Sequence, residues 1–212
     1  AIQGSKYQLE ESMRLRLRAD VPMAFCLSGG VDSAALVSIA KKLFNYDVTT
    51  FSIIDEDERY NEFDNIMYTV NDLGCKHELI NLDNSNMLER LKDLIIYHDG
   101  PIATISYLVH SLLSEKIEKM GFKIAISGTG ADELFTGYYD HFNLHLYEMQ
   151  NHTNFNKLLD DWFNNTGKFI RNPYLKNPKL YFEDQTIRNH NHLNSDKFLE
   201  YLIDNFSYDI IE

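Results

Sequence analysis

The residues Ser28-Gly29-Gly30-Val31-Asp32-Ser33 follow directly on an apolar run, Pro22 to Leu27, and precede a second apolar run, Ala34 to Phe44, rich in helix formers. That order reads as a buried strand, a tight glycine turn and the start of a helix. A helix N-terminus presents N–H groups without intrahelical partners and the positive end of the helix dipole, so it attracts phosphate. Adjacent glycines let successive N–H groups face one concave nest. The turn is therefore read as a cradle for the pyrophosphate of ATP, with the rest of the chain arranging a carboxylate and a nucleophile around it.

The pattern around this turn alternates between strand and helix. Residues 7–19 read as a helix with an apolar edge (Leu9, Met13, Leu15, Leu17) among Glu and Arg. Strands are expected near 22–27, 48–54, 76–82 and 123–126, where β-branched and other apolar residues gather. Helices are expected near 61–73, ended by Gly74, near 86–98, broken by Asp99-Gly100-Pro101, and near 104–120, ended by Gly121. Strands separated by helices imply an α/β fold with a doubly wound, mostly parallel sheet, in which ligands sit beyond the carboxyl ends of strands. A second glycine turn, Ser127-Gly128-Thr129-Gly130, follows the last strand and leads into Ala131-Asp132-Glu133. Both turns are thus at carboxyl ends. Beyond about residue 140 Asn and aromatic residues dominate, with helical patterns at 154–164 and 195–206 and turns at Asn172-Pro173 and Asn177-Pro178. The expected division is an ATP-binding unit over 1–145 and a helical appendage over 146–212.

The residue types at the turns select a chemistry. A phosphate loop of the Gly-Lys-Ser/Thr kind uses lysine to reach the β and γ phosphates. Here Asp32 takes the corresponding place, and an acidic side chain beside phosphate requires a divalent cation between them. Asp132 follows the second turn. Two carboxylates with phosphate oxygens and water make a Mg²⁺ site. A cation there stabilises departing pyrophosphate, which favours attack at the α-phosphorus over transfer of the γ-phosphoryl group.

At these residues the sequence resembles a known family. SGGVDS (28–33) is similar to the PP-loop of the ATP pyrophosphatases, and SGTGADELFTGYYDH (127–141) resembles the signature of the asparagine synthetase family within them. FSI (51–53), YNEFD (60–64) and DGPIA (99–103) extend the resemblance over roughly 5–145. The resemblance implies that Ser28, Gly29, Gly30, Asp32 and Ser33 hold the ATP pyrophosphate. Cys26 and Ile53 would touch adenine, Ser127 and Gly128 would line the nucleotide side, and Tyr138 would fall near the same pocket. Asp32 and Asp132 would be the Mg²⁺ ligands. It further implies a synthetase that adenylates a carboxylate, aspartate first, for attack by ammonia supplied by a glutaminase domain in the same full-length chain or in a separate subunit. Thr129 stands where the family carries a Glu thought to assist ammonia, and threonine is no general base at neutral pH. Relatives in surface-polysaccharide gene clusters are similar to this Thr-containing version, so a sugar carboxylate is the alternative acceptor. A catalytically impaired nucleotide-binding module is a further alternative. The lysine that assists pyrophosphate departure in the family has three candidates, Lys168, Lys176 and Lys179, with no motif to choose among them.

Composition trims the remaining classes. A formal charge of −12 over 212 residues argues against a nucleic-acid partner and against the tRNA-modifying branch. No apolar run approaches the roughly 20 residues of a membrane helix. Two isolated cysteines, Cys26 and Cys75, fit a reducing, cytoplasmic compartment. The chain begins at Ala1 with no signal-peptide pattern and reads as a fragment or processed form. A homodimer is an open option. The acidic stretch 55–58 reads as a solvated loop. His141 and His145 have zinc-helix spacing but no accompanying third ligand, and read as surface or packing residues. His190 and His192 read as solvated, Glu133 as a candidate base beside Asp132 or equally as a cap or a supporting contact, and Trp162 as a core residue.

Overall fold

The computed structural model describes residues 2–55, 57, 61–82 and 85–188. The pattern expected at 195–206 and residues His190 and His192 lie outside the described residues. The chain divides into two compact units, the first ending at Gly130 and the second beginning at Ala131. That division falls before the compositional change expected near residue 145.

In the first unit helix α1 (Ile2–Arg16) precedes strand β1 (Met23–Cys26), and α2 (Val31–Ser38) continues into a wider π-helical turn at Ile39–Leu43. Then come β2 (Thr49–Ile54), α3 (Phe63–Leu73), β3 (Lys76–Asn81), α4 (Met87–His98), α5 (Ser106–Lys119) and β4 (Ile124–Ile126). The first helix starts earlier than its apolar edge implies and ends at Arg16. Glycines close helices where expected: Gly74 has φ +59° and Gly121 has φ +85°. Asp99 takes the same left-handed conformation at the end of α4 (φ +51°), which an Asx residue tolerates better than most.

The sheet is fully parallel in the order β3-β2-β1-β4. Successive strands β1, β2 and β3 proceed outward in one direction, and β4 returns to the other side of β1. The order therefore reverses between β1 and β4. Along β1 the side chains alternate: Met23 and Phe25 pack with Val37, Ala40, Ile66 and Val70 from α2, its π turn and α3, while Ala24 packs with Phe51, Leu113 and Ile117 on the α5 side. Both faces of the central strand are covered, as a parallel sheet requires. Two polar side chains inside the sheet are satisfied locally. Thr50 Oγ1 donates to the Lys76 carbonyl (3.0 Å) and Ser52 Oγ donates to the Leu27 carbonyl (2.5 Å).

The second unit begins with α6 (Ala131–Phe135) and α7 (Tyr139–Glu148). It continues with α8 (Phe155–Trp162), extended by a π-helical turn at Phe163–Gly167, then α9 (Lys179–Glu183) and α10 (Gln185–Arg188). Its core gathers Leu146, Trp162 and Ile170, with Phe155, Leu158, Leu159, Leu175 and Phe182 around them. Trp162 is 4% exposed and lies against Gly167, where an added Cβ would sit 2.6 Å from the ring. The two Asn-Pro turns form as their sequence dictates: Asn172 Oδ1 accepts from the Tyr174 N–H (3.0 Å) and Asn177 Oδ1 from the Lys179 N–H (3.2 Å).

Candidate active site

The first glycine turn leaves the carboxyl end of β1 and enters α2. Its hydroxyls lock it from within. Ser28 Oγ and Ser33 Oγ are 2.9 Å apart, the Ser28 N–H donates to Ser33 Oγ (3.0 Å), and the Gly30 N–H reaches Ser28 Oγ (3.3 Å). Ser33 is buried, so its hydroxyl ties the first turn of α2 to the loop before it. Gly30 itself has φ −81° and ψ 155°, extended backbone open to any residue. The glycines here serve close approach more than unusual dihedrals. A Cβ on Gly29 would lie 2.6 Å from the Glu62 Cβ, and the Gly29 N–H donates to Glu62 Oε2 (2.9 Å).

The second glycine turn leaves the carboxyl end of β4, which pairs with β1 in parallel register (Phe25 opposite Ile126). A Cβ on Gly128 would lie 2.9 Å from the Ser33 backbone nitrogen and 3.2 Å from the Asp32 Cβ. The two turns therefore touch at the point where the strand order reverses, the place where open α/β sheets bind ligands. Within the second turn Ser127 Oγ donates to Thr129 Oγ1 (2.8 Å).

Between the turns lies a cavity of about 290 Å³, close to the lower end of the roughly 300–1,000 Å³ usual for small-molecule sites. Of the residues expected at the site, Cys26, Ser28, Asp32, Ser33, Ile53, Ser127, Gly128 and Thr129 line it. Gly29 and Gly30 belong to the first turn. Its wall combines apolar side chains, among them Leu27, Phe51, Ile53 and Leu113, with hydroxyls and the Asp32 carboxylate. Burial pushes the Cys26 thiol up to about 11, so it stays protonated and offers no soft metal ligand. Apart from the His110 imidazole, the available donors are oxygens, which suits a hard cation.

Asp132 and Tyr138 fall in the second unit. Asp132 is in the first turn of α6, and its Oδ1 lies 1.8 Å from where a Cβ on Gly137 would be, so only glycine leaves room for this carboxylate. The Tyr138 hydroxyl donates to Glu133 Oε1 (2.7 Å), which holds the Glu133 carboxyl below its ordinary range and raises the phenol. Glu133 thus makes a supporting contact. His141 packs edge-on to Tyr138 at 5.3 Å. Lys168 lies over the Phe169 ring at 4.9 Å.

Two residues at or near the site, Glu62 and His110, have no role assigned by the sequence alone. Glu62 was visible only as part of YNEFD, and its partner Gly29 is distant in sequence. His110 lines the cavity from α5, beside Val109 and one turn before Leu113. The signal for it is faint: an imidazole flanked by apolar positions of helical spacing.

Comparison with known proteins agrees with the residues at the turns. The family model for asparagine synthase matches residues 5–204. The chain is 29% identical over 151 residues to amidase chyE of Penicillium rubens, covering 65% of this chain and 22% of that protein. It is 32% identical over 128 residues to a glutamine-hydrolysing asparagine synthetase of Bacillus subtilis, covering 60% of this chain and 20% of that one. It thus spans about a fifth of the length of these relatives. Among solved structures, an NH3-dependent NAD synthetase from Campylobacter jejuni superposes with a TM-score of 0.44 at 15% identity, covering 88% of this chain and 95% of the other. The match of the family model over residues 5–204 places this chain in the asparagine synthase family.

Proposed function

We propose that the chain is the ATP-dependent synthetase part of an amide-forming enzyme. It activates a carboxylate as its AMP ester and passes the acyl group to ammonia, releasing AMP and pyrophosphate. The observation that carries this reading is the contact between the two glycine turns at the β1/β4 reversal, beside a cavity lined by both apolar and oxygen-bearing side chains. Adenine suits the apolar part of the lining that Cys26 and Ile53 contribute to. The pyrophosphate suits the turn from Ser28 to Ser33, where hydroxyls and the unpaired amides of the first turn of α2 favour anions. Ser127 and Gly128 face the adenylate from the second turn, and Tyr138 belongs to the same proposed set.

Asp32 and Asp132 are the residues that would hold Mg²⁺. Such a cation supplies charge neutralisation for the pyrophosphate as it leaves. The oxygen donors of the cavity fit it. Among the described residues no three His, Cys, Asp or Glu side chains gather as a metal site, so its remaining ligands would be phosphate oxygens and water.

Aspartate is the proposed acceptor, with ammonia from a glutaminase domain or subunit, as the name of the Bacillus subtilis relative indicates for that protein. Thr129 favours a second reading of the acceptor, a sugar carboxylate, because its hydroxyl is held by Ser127 and replaces an acidic group with a neutral one. A cytoplasmic location is proposed from the two free cysteines. No helix among the described residues is long and apolar enough to cross a membrane.

ATP–pyrophosphate exchange tests this reading in the full-length protein. Exchange that depends on aspartate supports the first acceptor, and exchange that depends only on a uronic acid supports the second. Asp32→Asn and Asp132→Asn are each expected to abolish Mg²⁺-dependent exchange with the fold intact by circular dichroism. Near-normal exchange in either variant removes that residue from the proposed metal site.

A further inference from the structure

We infer that His110 is the proton acceptor of the amide-forming step, an inference that rests on the synthetase reading. When ammonia attacks an acyl adenylate, its lone pair forms the C–N bond and its nitrogen becomes positively charged. The bond from the acyl carbon to the phosphate oxygen then breaks, and AMP leaves with that electron pair. A neutral amide results only when one N–H proton passes to a base.

The cavity wall holds few groups able to take that proton. Ser28, Ser33, Ser127 and Thr129 offer hydroxyls, which are not bases at neutral pH. The Cys26 thiol is kept protonated by burial. Asp32 is the proposed ligand of the cation. His110 is the one imidazole on the wall among the described residues, and imidazole is the side chain suited to accept and release protons near neutrality.

Its placement follows from α5. Val109 and Leu113 line the cavity from the same helix, and His110, exposed to solvent, lines it beside them. Several charges of the elements packed on α5 are held in pairs, and α4 also carries Asp93. Arg90 of α4 pairs with Glu115 (2.8 Å), Glu78 of β3 pairs with Lys116 (3.0 Å), and His98 of α4 packs edge-on to Tyr107 at 5.7 Å. Lys119 also bonds to Glu115. His77 of β3 bonds to Thr50 of β2 (2.9 Å). Asp32 and Cys26 are the other titratable groups on the cavity wall among the described residues.

The test compares two reactions of the full-length protein and its His110→Gln variant, with ATP, Mg²⁺ and aspartate, or a uronic acid where aspartate supports no exchange. ATP–pyrophosphate exchange reads adenylation, and amide formation from ammonium chloride reads the later step. The expected result is amide formation lowered about 100-fold, the usual contribution of a general base, with exchange lowered far less. The wild type's loss of rate on the acid side, measured at constant free ammonia, should be missing in the variant. Amide formation at the wild-type rate with the same pH profile overturns the role of His110. So does parallel loss of both reactions, which assigns the residue to adenylation or to folding. Absence of exchange in the wild type with every carboxylate overturns the synthetase reading itself, and this inference with it.

Discussion

A methyl group at Gly128 would come within 2.9 Å of the Ser33 nitrogen, which is backbone at the start of α2 and cannot step aside as a flexible side chain would. Gly128→Ala should therefore push the two turns apart. Overpacking of this kind costs about 1–3 kcal/mol, read as a lower urea midpoint, and ATP should bind more weakly because the displaced amides belong to its cradle. An unchanged midpoint together with unchanged ATP affinity would contradict the close contact. At this scale much of the site was legible. A glycine turn with its serines is local chemistry, so Ser28, Ser33, Ser127 and Gly128 could be picked out before their contacts were known. The role of each glycine could not. Gly29 makes room for Glu62 and Gly128 makes room for Ser33, and both partners are remote in sequence.

The pairing of β2 with β3 carries a pH dependence of its own. Thr50 Oγ1 donates to the Lys76 carbonyl, so the proton between Thr50 and His77 belongs to His77 Nδ1, at 2.9 Å. Nε2 is buried without a partner, so a second proton on the ring would be held without compensation. Burial accordingly lowers the His77 pKa. The unfolded chain then binds a proton that the folded chain refuses, so stability falls as pH drops through the ordinary histidine range, about 6.5, toward the lowered folded value. Above that range the effect vanishes. Urea midpoints at pH 5.5 and 7.5 should show a pH-dependent loss that His77→Gln reduces. An equal loss in the variant would place its origin in other groups. Element boundaries were readable where glycine ended a helix, as at Gly74 and Gly121. They were poorly readable at α1, where residues 2–6 have no apolar period yet are helical. Strand order was not readable, because the return of β4 to the side of β1 depends on packing by α5.

At the scale of the molecule, the fold class was legible because a helix separates each strand from the next, which leaves a parallel sheet as the economical arrangement. The division after Gly130 was not, since composition changes later in the chain than the contacts do. A formal charge of −12 disfavours ATP except where backbone amides and a cation gather, and the paired turns are the proposed place. The central claim is that ATP bound there is cleaved between its α and β phosphates. Phosphorus NMR of the full-length protein turning over ATP, Mg²⁺, a carboxylate that supports exchange and ammonium chloride tests it most directly. The account predicts AMP and pyrophosphate appearing together, one for each amide formed. ADP and inorganic phosphate as the products would contradict it.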